Sequence, residues 1–337
     1  MIDLRSDTVT KPTPEMFEAM MSAQVGDDVF GEDPTVLELE AKGAEILGME
    51  AAIYCPSGTM TNQIGIHILS SPYEEVVCYS GAHIYRYEGG GVAGTSGLSF
   101  RLIEGDRGRL NAREIEAQIN PNDIHYPKTS IIELENTVNK GGGCYYTLAQ
   151  IKSINAVAVK HGLKMHLDGA RLFNALVETG EKAADYGQYF DTISICLSKG
   201  LGAPIGSLLV GSQALINKAR RVRKFMGGGM RQVGYIAAAG LYALENNIPR
   251  LKEDHKRAKA LEEALHKCSM VESVLPVATN IVIFKLKENH KVSETLELLK
   301  KKGILAVGFG PHEIRLVTHL DFDDAQLEQS IAIVKSL

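Results

Sequence analysis

Residues 191–206 read DTISICLSKGLGAPIG, a run of apolar and β-branched residues that ends in a lysine and a glycine-rich turn. The apolar run predicts a buried strand, so Lys199 follows the carboxyl end of that strand. An ammonium group buried there would lose hydration free energy. This cost is offset only if the lysine is paired, neutralised or used covalently. For a lysine considered alone, a side chain that reaches solvent from the strand end is the simpler interpretation.

Helical and strand-like segments alternate on both sides of this stretch, from about residue 33 to residue 212. Asp33 as an N-cap and Pro34 at the first helical position predict a helix that stops before Gly48. Short turns join the segments, which is typical of an α/β fold with a mainly parallel sheet.

A second charged residue is predicted at the same edge of that sheet. The helix predicted for residues 148–161 ends at Gly162, and the strand LKMHLD follows and ends at Asp168. Ligands of open α/β sheets bind beyond the carboxyl ends of the strands. We therefore expect Asp168 and Lys199 to share one crevice.

The pattern of predicted elements changes after about residue 248, where a highly charged helix is followed by short strands and two further helices. This pattern predicts a small α+β domain. We expect a large domain over residues 1–247, including the N-terminal segment, and a small domain over residues 248–337.

Composition restricts the kinds of partner. The net charge of -5 is spread over 337 residues without a basic block, which argues against nucleic acid or an anionic membrane and favours a small-molecule ligand. The five cysteines are scattered and form no CxxC pair, so we expect free thiols and a cytoplasmic location. The polar start MIDLRSDTVTKP lacks the apolar core of a signal peptide, and no segment has the apolar length that spans a bilayer.

A phosphate-binding turn is one interpretation of residues 55–66, CPSGTMTNQIGI. Ser57, Gly58 and Thr59 connect a strand to an amphipathic helix that should begin near Met60, and they offer free N–H groups, a hydroxyl and the positive end of a helix dipole. Taken alone, an ordinary helix cap is the commoner explanation of this pattern.

Asp168 in HLDGAR has three interpretations: a turn residue, a metal ligand together with His166, or a carboxylate that faces a buried cation. His166 and Asp168 share one face of a strand, so metal ligation is sterically possible, although further ligands are not evident nearby. An aspartate paired with a ring nitrogen is also the partner that pyridoxal phosphate requires.

The order of these motifs resembles that of the fold-type I pyridoxal phosphate enzymes. SGT is followed by AHIYRYEGGG, then by HLDGAR, and last by CLSKGLGAPIG. RSDTVTKPTPEM (residues 5–16) and GDDVFGEDPTV (residues 26–36) are similar to the threonine aldolases within that group. The resemblance implies an aspartate aminotransferase-like fold, in which helices flank a mainly parallel seven-stranded sheet and a smaller C-terminal α+β domain follows.

The resemblance also implies residues for the cofactor. Lys199 would carry pyridoxal 5'-phosphate as a Schiff base, and Asp168 would pair with the pyridine nitrogen. Gly58 and Thr59 would bind the phosphate. His83 would lie over the ring, near the substrate hydroxyl.

The family pattern further implies residues for the substrate and for assembly. Ser6, Arg171 and Arg315 would hold the substrate carboxylate, with Arg171 also beside the cofactor, because a planar guanidinium can bind both carboxylate oxygens. His125 would lie near the end of the substrate that becomes an aldehyde. Arg231 would reach the phosphate of a neighbouring subunit in a homotetramer.

The reaction that this resemblance implies is cleavage of L-threonine or L-allo-threonine to glycine and acetaldehyde, with His83, His125 or a water molecule as the base. Two alternatives remain: another lyase on the same scaffold that carries out β-elimination, and a non-catalytic regulator that binds the cofactor. Arg5, Arg101 and Arg107 match no family position and are interpreted as surface residues. Whether a cation is bound is left open by the sequence.

Overall fold

The computed structural model describes residues 1–337 and contains thirteen strands and thirteen α-helices. The strands are β1 (Ile2–Asp3), β2 (Ala51–Cys55), β3 (Glu75–Tyr79), β4 (Ser99–Ile103), β5 (Thr129–Glu135), β6 (Lys164–Asp168), β7 (Thr192–Cys196), β8 (Ser207–Gly211), β9 (Val271–Val274), β10 (Ile281–Leu286), β11 (Ile304–Leu305), β12 (Val307–Gly308) and β13 (Glu313–Val317). The helices are α1 (Pro14–Ser22), α2 (Pro34–Leu47), α3 (Gly58–Leu69), α4 (His83–Arg86), α5 (Ala112–Glu116), α6 (Leu148–His161), α7 (Leu172–Thr179), α8 (Ala184–Gly187), α9 (Gln213–Phe225), α10 (Gly234–Asn246), α11 (Leu251–Leu265), α12 (Val292–Lys301) and α13 (Asp324–Lys335). No helix combines the length and the apolar character needed to cross a membrane.

A seven-stranded sheet forms the centre of the larger part of the chain, in the order β2-β8-β7-β6-β5-β3-β4. Strands β7, β6, β5, β3 and β4 run parallel, while β8 runs antiparallel to both of its neighbours. β5, β7 and β8 are buried along their whole length, as expected for strands covered on both faces. The predicted α/β fold with a mainly parallel sheet is confirmed.

The carboxyl ends of β5, β6 and β7 lie side by side, because these three strands are parallel neighbours. Glu135 and Asp168 are paired residues at the ends of β5 and β6. Lys199 follows β7 by three residues, in a turn where Gly202 has a φ of 82° that favours glycine. The sheet therefore brings three ionisable side chains to one edge, of which the sequence predicted two.

Local signals set the boundaries of α2 and α6 as predicted. The Asp33 side chain accepts a hydrogen bond from the Val36 N–H at the start of α2, and Gly48 ends that helix in the left-handed conformation. Gly162 ends α6 in the same way. The phosphate-turn helix α3 begins at Gly58, two residues earlier than the sequence suggested.

The C-terminal part contains a four-stranded antiparallel sheet in the order β12-β13-β10-β9; α11 packs against this sheet, and α13 packs against α11. Strand β9 was not predicted, because its residues VESV do not alternate: the two middle residues are exposed and the two end residues are half-buried. The segment ILAVGFG forms the two short strands β11 and β12.

The first residues of the N-terminal segment contact the C-terminal part of the chain. β1 pairs in parallel with β11, and Ile2 and Leu4 are buried in the same apolar cluster as Leu261 and Phe284. We retain the division into two domains at residue 247 as a proposal. Residues 2–4 pack with the C-terminal part, although they precede it in the sequence.

Candidate active site

Two adjoining cavities open at the carboxyl edge of the large sheet. The outer cavity measures about 430 Å³ and the inner one about 270 Å³. Four residues line both cavities: His83, Asp168, Ala170 and Lys199. The predicted crevice around Asp168 and Lys199 is therefore present, and it is continuous with a second compartment.

The inner cavity is lined by the turn that begins α3. The Ser57 hydroxyl accepts a hydrogen bond from Met60 N–H at 3.2 Å, and Gly58 and Thr59 line the cavity wall. A Cβ atom on Gly58 would lie 2.6 Å from the Cys196 sulfur, so only glycine fits against β7 here. Free N–H groups at the start of a twelve-residue helix are a suitable cradle for a phosphate group.

Asp168 is held in place by two hydrogen bonds. Its Oδ1 accepts from the Ala170 N–H at 3.1 Å, and its Oδ2 accepts from Asn62 Nδ2 at 2.8 Å. The side chain is buried, yet it lines both cavities. A fixed, buried carboxylate facing a cavity suits a protonated ring nitrogen, as the cofactor interpretation requires.

His166 is not available as a metal ligand beside Asp168. Its Nδ1 is 2.8 Å from Thr192 Oγ1 and its Nε2 is 3.1 Å from Asn62 Oδ1, so both ring nitrogens are used inside the core. Burial lowers the pKa of His166 to about 4, although Asp168 opposes this shift. His166 is therefore a neutral structural histidine that positions Asn62.

His83 begins the short helix α4, and its ring is tilted against Tyr87 with 5.6 Å between the ring centroids. Its Nδ1 lies 2.9 Å from the Glu88 carboxylate. Burial alone would lower the pKa of His83, but the hydrogen bond to Glu88 and the charge of Asp168 raise it above its usual value.

The two predicted carboxylate-binding arginines have different environments. Nε and Nη2 of Arg171 each donate to Asp7 at 2.7 Å, which forms a buried bidentate pair. Burial alone would raise the pKa of Asp7, but Arg171, with Lys199 and Asn280, holds it well below its usual range. Nη1 of Arg171 makes no hydrogen bond within the protein, and Arg171 lines the outer cavity.

Arg315 has no carboxylate partner. It donates to Asn139 Oδ1 at 2.9 Å and to the Arg5 carbonyl at 3.0 Å, and its guanidinium lies 4.6 Å from the centre of the Phe309 ring. Its Nε is buried without a partner, and burial with the nearby Arg171 charge lowers the pKa of Arg315 to about 10. Arg315 is thus a cation of the outer cavity that an anionic ligand would neutralise.

Ser6 also lines the outer cavity, close to the end of the N-terminal segment. Its hydroxyl accepts hydrogen bonds from the Thr8 backbone N–H and from the Thr8 hydroxyl. The structure therefore brings together eight of the ten predicted site residues: Ser6, Gly58, Thr59, His83, Asp168, Arg171, Lys199 and Arg315.

The other two predicted residues lie outside both cavities of this chain. His125 is in the exposed loop before β5 and bonds to Asp123, with 2.7 Å between Nδ1 and Oδ1. Arg231 is exposed and forms a 2.8 Å ion pair with Asp27. A role for either residue in the site requires a second subunit.

The three arginines interpreted as surface residues behave differently from one another. Arg5 is exposed and pairs with Asp3. Arg101 is half-buried against Glu75, and Arg107 bonds to the carbonyls of Gly141 and Pro276. None of them lines the two cavities.

Sequence reasoning missed three polar residues of the site. Glu135 lines the outer cavity, and burial together with the Asp168 charge raises its pKa to about 7. Its place at a strand end, in ELEN, is the signal that identified Asp168 and could have identified it. Asn62, four residues into α3, and Glu88, in the turn after α4, have no comparable local signal.

A parallel α/β sheet with a lysine after a central strand, an aspartate on the next strand and a glycine-bearing helix start defines the class of fold-type I pyridoxal phosphate enzymes. A family model described as beta-eliminating lyase matches residues 3–289. The chain is 42% identical to a probable low-specificity L-threonine aldolase 2 of Arabidopsis thaliana, with 100% of this chain and 97% of that protein covered. It is also 42% identical to a low specificity L-threonine aldolase of Escherichia coli O157:H7, with 98% of each chain covered.

Solved structures agree on the fold. A threonine aldolase of Leishmania major superimposes with a TM-score of 0.87 at 22% identity, covering 100% of this chain and 99% of that one. A serine palmitoyltransferase of Sphingomonas wittichii gives 0.78 at 17% identity, covering 99% and 86%. The chain belongs to the beta-eliminating lyase family and, within it, to the threonine aldolase group; it is a pyridoxal phosphate-dependent lyase.

Proposed function

We propose that this protein cleaves L-threonine and L-allo-threonine between Cα and Cβ, giving glycine and acetaldehyde. The main support is the outer cavity, where Arg315, a cation without an acidic partner, lies with His83, Asp168 and Lys199. An α-amino acid with a β-hydroxyl group matches these groups, since it carries one carboxylate, one amine and one hydroxyl proton to be removed.

Residues of the inner cavity fit the cofactor. Lys199 would hold pyridoxal phosphate through a Schiff-base linkage, Asp168 would keep the ring nitrogen protonated, and Gly58 and Thr59 would bind the phosphate. When bound, the cofactor supplies an electron sink for the pair released at Cα. Two observations support this assignment: a Cβ atom at position 58 would clash with the Cys196 sulfur, and hydrogen bonds hold the Asp168 carboxylate in place.

Residues of the outer cavity would then select the bond that breaks. Arg315 and the free Nη1 of Arg171, with Ser6, would hold the substrate carboxylate and so fix the direction of the Cα–Cβ bond. A base removes the β-hydroxyl proton, the Cα–Cβ bond breaks, acetaldehyde leaves, and Cα takes up a proton to give glycine. We assign the base to His83, to His125 of a second subunit, or to a water molecule that they hold.

We also propose that the protein works as a cytoplasmic homotetramer with sites shared between subunits. Six large apolar side chains are exposed on elements that neighbour one another: Phe17, Met21, Phe30, Leu37, Phe225 and Tyr235. Exposed apolar groups of this size are typical of association surfaces. The exposed positions of His125 and Arg231 agree with contributions to a neighbouring site.

The test is aldehyde release from L-threonine and from L-allo-threonine, followed by NADH-dependent alcohol dehydrogenase, with and without added pyridoxal phosphate. Cofactor-dependent acetaldehyde with an equal amount of glycine is the expected result. Release of pyruvate and ammonia from amino acids with a β leaving group, without acetaldehyde from threonine, would instead support β-elimination. Bound cofactor without either product would support a non-catalytic protein.

A further inference from the structure

Glu88 is a buried carboxylate in direct contact with the site histidine. Its side chain is fully inaccessible to solvent, and its Oε1 lies 2.9 Å from His83 Nδ1. The His83 side chain itself is about one third exposed, with 32% of its surface accessible, and it lines both cavities. Glu88 therefore contacts the cavities through the His83 ring and through Asn62, which lines the inner cavity.

Hydrogen-bond donors surround this carboxylate. Asn62 Nδ2 donates to Glu88 Oε1 at 2.9 Å, and Gln63 Nε2 donates to Oε2 at 2.5 Å. The same Asn62 nitrogen donates to Asp168 at 2.8 Å and so occupies the position between the two carboxylates. Amide N–H groups donate to both of its oxygens, so Glu88 is held as a hydrogen-bond acceptor, and it accepts rather than donates at His83.

We propose that Glu88 is a positioning residue that fixes the tautomer and the orientation of His83. A hydrogen bond from Nδ1–H to Glu88 leaves Nε2 as the ring nitrogen with the free lone pair. Nε2 can then take the β-hydroxyl proton of the substrate, directly or through a water molecule. The inference rests on the proposed aldol cleavage and adds the residue that prepares its base.

The charges around His83 come from four elements. Glu88 follows α4, Asp168 ends β6, Lys199 follows β7, and Glu135 ends β5 and accepts a 3.4 Å hydrogen bond from the His83 backbone N–H. Glu88 and Asp168 stabilise the protonated imidazole, whereas Lys199 opposes it. Removal of the Glu88 charge should therefore make His83 a weaker base.

Glu88→Gln separates charge from hydrogen bonding. The amide oxygen of the new glutamine can still accept from His83 Nδ1–H. Its NH₂ group can donate to Gln63 once the Gln63 amide has flipped, since the Oε1 atom of Gln63 is buried without a partner. Glu88→Met removes the acceptor as well at similar volume. Glu133→Gln is the matched control, because Glu133 is also a buried carboxyl in this region but has no hydrogen-bond partner at either oxygen.

The first measurement uses the holoenzyme without substrate. The pH dependence of diethylpyrocarbonate acylation at His83, quantified by peptide mass spectrometry, gives the pKa of that residue. We expect Glu88→Gln to lower it by about one unit and Glu133→Gln to leave it unchanged. An unchanged pKa of His83 in Glu88→Gln would overturn the proposal, whether or not the protein cleaves threonine.

The second measurement is the pH profile of kcat for acetaldehyde release. In Glu88→Gln we expect the acid limb of the profile to move to lower pH, together with the pKa of His83. We expect kcat to fall about tenfold in Glu88→Gln and about a hundredfold in Glu88→Met. The affinity of both variants for pyridoxal phosphate should stay within about threefold of wild type. A shifted pKa of His83 with an unmoved acid limb would overturn the role of Glu88 in catalysis. Absence of acetaldehyde from wild-type enzyme would refute the proposed function, and the first measurement would still decide the contact between Glu88 and His83.

Discussion

At the scale of single residues, the position of Lys199 agrees with its proposed covalent use. Its side chain is half-buried and lines both cavities, and its backbone carbonyl accepts a hydrogen bond from Thr10 Oγ1 at 3.2 Å. Its amine forms no ion pair, and Asp7, whose pKa the Lys199 charge helps to lower, is paired with Arg171 instead. A lysine placed in this way is available to react with an aldehyde.

Lys199→Ala should therefore abolish turnover and also the adduct with pyridoxal phosphate that borohydride reduces. The measurement is acetaldehyde release together with the mass of the reduced protein. Lys128→Ala, which removes an exposed lysine paired with Glu74, is the control and should behave as wild type. Normal turnover in Lys199→Ala would show that another group carries the cofactor.

His166 makes the stability of the fold depend on pH. The native residue binds a proton only near pH 4, whereas an unfolded histidine does so near pH 6.5, so the unfolded state binds more protons between these values. The stabilisation is complete above pH 6.5 and decreases as the pH falls towards 4. Between pH 7.5 and pH 5 the loss attributable to this residue is about 2 kcal/mol.

His166→Gln should remove that part of the pH dependence. The free energy of unfolding, taken from urea titrations of the holoenzyme at pH 7.5 and pH 5, should change less with pH in the variant than in wild type. His312→Gln, at an exposed position, should retain the wild-type difference. An equal difference in all three proteins would mean that His166 is not the group that titrates.

At the scale of elements, the start of α3 shows how one packing contact shapes the inner cavity. The helix begins against β7 and β8, with Cys196 and Ser207 facing the Gly58 Cα. The helix can approach this closely only because residue 58 has no side chain. The N–H groups proposed to hold the phosphate are thereby placed at the cavity wall.

Gly58→Ala should weaken binding of pyridoxal phosphate by tenfold or more, on the order of 1.4 kcal/mol, because the new Cβ must displace the helix start from the Cys196 sulfur. Equilibrium dialysis gives the dissociation constant. In Gly58→Ala combined with Cys196→Ala the clash is removed and the affinity should recover. Gly94→Ala, where a Cβ atom meets nothing within 4 Å, should leave it unchanged.

At the scale of the whole molecule, contacts across the chain join the two cavities to the C-terminal part. Asp7 bonds to Arg171 beyond β6 and also accepts from Asn280 at 3.3 Å, at the start of β10. Arg315 on β13 bonds to Asn139 after β5. The outer cavity is therefore formed only when the N-terminal segment, the large sheet and the C-terminal sheet are packed together.

Shared sites predict that two inactive variants complement each other. Lys199→Ala and Arg231→Ala would each be inactive alone, but a mixed assembly has some sites that take the intact Lys199 from one subunit and the intact Arg231 from its neighbour. Unfolding and refolding the two together should restore up to about a quarter of wild-type acetaldehyde release. Complete inactivity of the mixture, with size-exclusion chromatography showing assembly, would place both residues in the same subunit's site, whereas activity of Arg231→Ala alone would remove Arg231 from the site.

The sequence by itself determined the elements that short-range physics controls. The caps at Asp33, Gly48 and Gly162 act over one helical turn, and the apolar run before Lys199 has the length and composition of a buried strand. These features and the parallel α/β fold were therefore predictable. The rule that ligands bind at the carboxyl ends of such strands located the crevice. The resemblance to threonine aldolases added residues that no local pattern identifies, such as Arg315 and Ser6.

Only the tertiary structure decided how those residues are paired. Asp7 and Arg171 are separated by 164 positions, and Asn139 and Arg315 by 176, so their contacts depend on the order of the strands and on the packing of the two sheets. The same applies to Asn62, which links Glu88 to Asp168 across the sheet edge. Local preferences set where helices and strands begin and end, whereas burial of apolar surface between distant segments sets which polar groups meet and which ones, like Arg315, are left for a ligand.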